Sequence, residues 1–223
     1  MPSVRAAAVS PVPLGTVSAP KQARSERTLE RLLAAAEALV IERGVTALSI
    51  PEVARRARSS VGGFYARFRD KDELVRALEE RFLRQLEGEL AEFVADPGWR
   101  RASLRDIVRR SLTRLVGVYA SRQRLIAAFI VRAAHDAGVW VEGERFRARV
   151  AEQVAALVLT RSAEIRHPDP ELAVDLAIQL VFGLMFHKVV FGEVRAGGRV
   201  LSDDELVREL ERGFLAQLGA RIP

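Results

Sequence analysis

Three helix-start signals crowd into residues 49–73: Ser49 with Glu52 three positions on, then Ser60, then Asp70 with Glu73. A serine or aspartate at such a position accepts a hydrogen bond from a first-turn N–H, and a glutamate three residues later closes a capping box. The spacing predicts a helix of barely two turns over residues 50–57, another over 61–65, and only Arg58-Ser59 between them. Upstream, Ser25 can cap a helix in which Leu29, Leu32, Leu33, Ala36, Leu39 and Val40 recur at three- and four-residue spacing until Gly44 stops it. Two short helices on a tight turn, braced by a third, form a helix-turn-helix unit.

The remainder also reads as helix. A fourth helix opens at Asp70 and continues through Leu74, Leu78, Phe82, Leu86, Leu90 and Phe93. After Pro97-Gly98, helices are predicted over about 102–120, 122–136, 142–166, 170–193 and 203–218, with starts at Asp169-Pro170 and Ser202…Glu205 and stops at Gly192 and Gly197-Gly198. The expected fold is therefore all-α: a flexible tail over 1–22, where prolines break each apolar run, the helix-turn-helix unit over 23–76, and a larger helical part over 77–223. Residues 172–192 form the only long apolar stretch, and Asp175, Gln179, His187 and Lys188 within it favour a buried helix over a membrane span. The chain has no cysteine, which excludes a disulfide framework, a thiolate metal site and thiol chemistry, and fits a cytoplasmic location.

Charge is unevenly placed. Of a formal net charge of +6, residues 1–76 carry 13 basic and 8 acidic side chains, so most of the excess lies there. Residues 53–69 hold Arg55, Arg56, Arg58, Arg67 and Arg69 and no acid, an electrostatic footprint for a polyanion such as DNA. If residues 61–65 are a recognition helix entering a major groove from Val61, Gly62 and Gly63 remove side chains where backbone must come close. With Phe64 in the core, Tyr65 points away and offers its hydroxyl to a phosphate. Ser49, Ser60 and Lys71 each lie at a helix start, where free N–H groups and the helix dipole favour a phosphate oxygen. The candidate DNA-binding set is thus Ser49, Arg55, Arg56, Arg58, Ser60, Val61, Gly62, Gly63, Tyr65, Arg67 and Lys71. Singly, each also fits a solvated face or a small core; together they favour DNA.

The helix "TLERLLAAAEALVIERG", followed by "LSIPEVARRA", "GGFYARF" and "DKDEL", makes residues 24–76 resemble the DNA-binding domain of the TetR family of bacterial transcriptional regulators. Gly44, Ile50, Val53-Ala54, Gly62, Phe64-Tyr65, Phe68, Lys71 and Leu74 fall at the family's spacing. Where the family usually has a glycine and then an apolar residue, this chain has Arg58-Ser59, so the turn is expected to cost more or take another shape. Gly63 stands where the family often carries Ser or Thr. The resemblance implies a C-terminal helical domain that binds a small effector and forms a homodimer through its last two long helices.

The residues support that implication in part. Helix 170–193 is apolar nearly all round, and 203–218 adds Leu206, Val207, Leu210, Phe214 and Leu218, so a two-fold four-helix bundle would bury both. The candidate dimer interface is Leu180, Gly183, Leu184, His187, Leu206, Leu210 and Phe214. Candidate ligand-lining residues are Trp99, Tyr119, Phe129, His135, Trp140, Phe146, Phe182 and Phe186, for each of which plain core packing is the competing reading. His135, His167 and His187 lack metal-ligand spacing, and neither a metal nor a cofactor is expected. Residues 100–135 hold nine arginines and one acid, whereas 79–96 hold six acids and two arginines; an anionic effector or, preferably, pairing between the two helices would explain this.

These features together predict a ligand-responsive, sequence-specific transcriptional regulator, a repressor released from a palindromic operator by a small-molecule effector. A helical interaction protein with non-specific DNA or protein binding is the alternative. An all-helical enzyme is a weaker one, since the chain contains no glycine-rich phosphate loop, paired His-carboxylate motif or G-x-S-x-G elbow.

Overall fold

The computed structural model describes residues 21–134 and 137–220. The expected tail and the candidate His135 lie outside the described residues, except that Lys21 and Gln22 already belong to α1 (Lys21–Arg43). Because α1 starts upstream of Ser25, that serine sits inside the helix and does not cap it. Leu32, Leu33, Ala36, Leu39 and Val40 are buried along one face, and the helix stops where Gly44 turns left-handed, at φ 81°, and donates its N–H to the Val40 carbonyl at 2.8 Å.

A 3-10 turn at Val45–Ala47 leads into α2 (Ile50–Arg56), α3 (Val61–Tyr65) and α4 (Lys71–Val94). Phe64 is fully buried beneath α3 and packs on Phe68 at 5.3 Å between ring centroids. These short elements cannot close a core alone. Leu78, Phe82 and Leu86 from the middle of α4, and Leu125, Ala128 and Phe129 from α5 (Leu104–Ala133), complete it.

Helix α5 replaces the two helices expected over 102–120 and 122–136. It opens on a capping box between Ser103 and Asp106 and is kinked, not broken, at Arg122, where φ is −127° and ψ 20°. Just before the kink, Ser121 Oγ donates to the Gly117 carbonyl at 2.8 Å, a back-bond that bends helices. Helix α6 (Ala137–Leu159) starts and ends earlier than expected. The chain leaves it through Arg161, whose guanidinium donates to the carbonyls of Trp99, Arg100 and Ala102 at 3.0, 2.9 and 2.8 Å.

Helix α7 (Pro170–Phe191) is capped by Asp169, which accepts from Leu172 N–H at 3.0 Å, and α8 (Asp203–Gln217) by a capping box between Ser202 and Glu205. Between them β1 (Arg195–Ala196) and β2 (Arg199–Val200) pair antiparallel, the only strands among the described residues. Parts of α5 to α8 form a second core around Ile107, Leu112, Val158, Val174, Met185, Leu206 and Phe214.

The packing corrects part of the expected outer face. Leu206 and Phe214 are buried within their own chain, and Leu210 leans on the same core, so α8 does not present them outward. Glu211 is buried beside them, held by Arg105 and Arg109. Helix α7 is not enclosed all round either. Its inner face carries Ala173, Val174, Ala177, Ile178, Val181 and Met185; its outer side leaves Leu172, Leu176, Leu180, Phe186, Val190 and Phe191 exposed. Among the described residues it is the one helix long and apolar enough to cross a membrane, with 39% of its most apolar window buried.

Candidate nucleic-acid interface and internal cavity

The turn between α2 and α3 takes a definite shape. Arg58 N–H bonds to the Arg55 carbonyl at 3.1 Å and Ser59 N–H to the Ala54 carbonyl at 2.9 Å, the paired bonds of a Schellman motif. The left-handed residue such a motif requires is Arg58 itself, at φ 50°. Ser60 then caps α3 by accepting from Gly63 N–H at 2.9 Å. Gly63 is constrained by this turn, because a Cβ there would stand 2.5 Å from Ser59 Oγ and 3.3 Å from Ser60 Oγ. The two glycines therefore have different roles: Gly62 leaves an open exposed surface, and Gly63 admits the serines of the turn.

Burial sorts α3 as its pattern demands. Phe64 faces in, while Val61 is 43% and Tyr65 55% exposed on the outer side. Ser60, Gly62 and Lys71 are exposed beside them. Asp70 caps α4 through Glu73 N–H at 2.8 Å, while Glu73 reaches back to Arg69 N–H, which holds its carboxyl below the usual range. Ser49 is exposed but makes no side-chain cap on α2, and the Glu52 carboxylate accepts from Arg55 instead of closing the box.

The arginine footprint is smaller than the acid-free window suggests. Arg55 is paired with Glu52, Arg56 with Glu42, and Arg69 with Glu73, all from outside that window. These hydrogen bonds hold Glu52 and Glu42 below the usual carboxylate range. Arg67 is structural: it donates to the Gly63 carbonyl at 2.9 Å and reaches Ser25 on α1. The side chain of Arg58 alone in this set has no partner among the described residues. Glu42 is invisible as a partner in sequence because it reaches Arg56 from the neighbouring helix.

Further along, α4, α5, α6 and α7 enclose a cavity of about 310 Å³. Tyr119, Phe129, Trp140, Phe146, Phe182 and Phe186 line it, as their aromatic character suggested. Trp99 does not; it is buried elsewhere, donating to the Phe93 carbonyl at 2.6 Å beneath the guanidinium of Arg110. Burial pushes the Tyr119 phenol up to about 12, so it stays a neutral donor. Trp140 and Phe186 are about half exposed at the opening.

Sequence reasoning missed the polar wall: Glu79, Glu89, Ser111, Arg114, Glu144 and Arg147. The i,i+3 spacing of Glu144 and Arg147 was its one local signal, and the pair sits at 2.7 Å. The predicted pairing between residues 79–96 and 100–135 is present: Arg110 meets Asp96, just beyond α4, and Arg114 and Arg122 share Glu89.

Residues 32–78 match the model of the family of bacterial regulatory proteins called the tetR family. Solved structures agree over the whole fold. A Mesorhizobium loti protein placed in the TetR family as a transcriptional regulator superposes with a TM-score of 0.69 at 22% identity, covering 88% of this chain and 97% of its own. A transcriptional regulator from a Rhodococcus species gives 0.64 at 23% identity, covering 87% and 99%. A TetR transcription regulator from Haloarcula marismortui gives 0.66 at 13% identity, covering 87% and 97%. No curated protein matches the sequence. Residues 32–78 are thus similar to the tetR family of bacterial regulatory proteins, and the described length shares the all-helical fold of these solved regulators.

Proposed function

We propose that the chain is a homodimeric, ligand-responsive repressor acting in the cytoplasm, released from a palindromic operator when a small molecule fills the cavity. The observation that carries this reading is a shared wall. Phe82 and Phe129, 5.5 Å apart, line the cavity and also belong to the core that holds the short helices in place. A ligand that shifts these rings also shifts the seat of α3, and can favour a state with wrongly spaced recognition helices only as far as its affinities for the two states differ.

Residues 23–76 are assigned to DNA contact. Val61, Gly62, Tyr65 and Ser60 meet the groove and its edges; Arg58 and Lys71 meet phosphate; Ser49, Arg55 and Arg56 flank them, and Gly63 and Arg67 hold the geometry. Residues 77–223 bind the effector and a second copy. The exposed stripe of Leu172, Leu176, Leu180, Gly183 and His187 on α7 supports dimerisation, since so continuous an apolar face needs a cover. Two recognition helices about 34 Å apart would then read successive major grooves.

Selection of bound fragments from random DNA at near-physiological salt tests the reading. Enrichment of a palindrome with half-sites one helical turn apart is the expected result. Equal competition by bulk DNA would favour a non-specific interaction protein, and a monomeric mass at micromolar concentration would remove the dimer.

A further inference from the structure

Helix α3 brings little hydrogen-bonding chemistry to a base edge. From Val61 to Tyr65 its side chains are those of valine, two glycines, phenylalanine and tyrosine, with no amide, guanidinium, ammonium, imidazole or carboxylate among them. The side-chain hydrogen bonds that single out guanine, adenine or cytosine in a major groove come chiefly from such groups. Phe64 is wholly buried, so the exposed face consists of Val61, the bare backbone at Gly62, and Tyr65. The serines ahead of the helix are occupied within the turn. Ser60 Oγ accepts from Gly63 N–H at 2.9 Å, and Ser59 Oγ donates to the Ser60 carbonyl at 3.4 Å.

Two further observations single out Val61. It is exposed and is the first residue of α3, at the end of a recognition helix that faces the base edges. Beside it, the fold does not require a glycine at position 62. A Cβ there would meet only Ser60 Oγ, at an ordinary 3.8 Å, and glycine weakens a helix relative to alanine. A missing side chain that the chain itself can accommodate marks a place where something outside the chain comes close. Valine is short, so its methyls touch a base only where the backbone lies near the groove floor, and Gly62 permits that approach.

The one apolar group on any base edge in the major groove is the C5-methyl of thymine. We infer that Val61 is a specificity-determining residue that reads a thymine in each half-site, packing its methyls against that C5-methyl. The inference rests on the proposed entry of α3 into the major groove. Tyr65, one turn on, shares the face with Val61 but carries a hydroxyl, which suits a phosphate and not a methyl.

The test starts from duplexes that the full-length protein selects from a random library, whose consensus should hold a fixed T·A pair in each half-site. Uracil in place of that thymine removes only the C5-methyl and should weaken binding about fourfold per half-site, the worth of one buried methyl group. A 5-methylcytosine·guanine pair at the same position should bind more tightly than cytosine·guanine by about the same factor. Val61→Ala, a change at an exposed position to a better helix former, should bind the thymine and uracil duplexes equally. Four results would overturn the inference while leaving specific DNA binding in place: a consensus with no fixed thymine, equal binding of the thymine and uracil duplexes by the unaltered protein, no gain from 5-methylcytosine, or a methyl preference that survives in Val61→Ala. Failure to enrich any sequence would remove the DNA reading itself, and the inference with it.

Discussion

At the scale of single residues, Arg58 carries the most tension. It occupies the left-handed position of a motif that glycine fills without strain, and its side chain has no partner among the described residues. Arg58→Gly should stabilise the fold by about 1 kcal/mol, seen as a higher urea midpoint with an unchanged slope. With Arg58 on phosphate as proposed, the same change should lower the salt dependence of DNA binding by about one ion. A lower midpoint would show that the left-handed arginine is held by something its backbone geometry does not reveal. Arg58 was legible as an oddity, because the sequence shows Arg-Ser where such a turn wants Gly. Its answer was not, since which residue turns left-handed depends on how α2 and α3 pack. The arginine pairing was hidden for a related reason: Glu42 and Arg56 meet only once α1 and α2 are side by side.

At the scale of elements, the caps were the most legible feature because each is written within four residues. Ser60, Asp70, Asp169 and Ser202 all cap as their spacing indicates. Ser49, at the same spacing, makes no side-chain cap, and its Glu52 carboxylate pairs with Arg55. The cap of α8 has a pH signature. Backbone N–H of Ser202, the Arg199 guanidinium and the Ser202 hydroxyl hold Glu205 at about 2, down from an ordinary 4.5. A carboxylate lowered in the folded state adds stability above its ordinary value and loses it as pH falls toward the lowered one. The thermal midpoint of Glu205→Gln should therefore trail the parent most above pH 4.5, and the gap should close near pH 2. A gap that persists unchanged into acid would place the effect in side-chain shape, not charge. On α7, a Cβ at Gly183 would meet nothing within the chain. Gly183→Ala should thus stabilise an isolated chain by up to about 1 kcal/mol as a better helix former. If a second copy packs there, the same substitution should instead shift equilibrium sedimentation toward monomer, which the loss of one glycine would do in no other way.

At the scale of the molecule, the all-α class was legible, while the joining of parts was not: nine helices were expected and eight are found among the described residues. The sequence reading divided α5 into helices over 102–120 and 122–136; in three dimensions that division is a bend at Arg122, just after Ser121 back-bonds to the Gly117 carbonyl. The cavity's aromatic wall could be named residue by residue, but Trp99 looked the same in sequence, and only Arg110 stacked over it shows that it belongs elsewhere. The seam between the parts was least visible of all. Leu125, Ala128 and Phe129 lie far along the chain from the short helices whose core they complete, and Arg124 donates to the carbonyl of Glu42 at the end of α1. A fragment covering residues 21–76 should accordingly lack a cooperative unfolding transition in circular dichroism, whereas one covering 21–134 should regain it. The shared core also bears on engineering and descent. A head that borrows its keel from the body is not a detachable cassette: grafting these DNA-reading helices onto another sensor would require carrying the bent end of α5 with them, so new pairings of operator and signal should arise by exchanging side chains more readily than by exchanging halves.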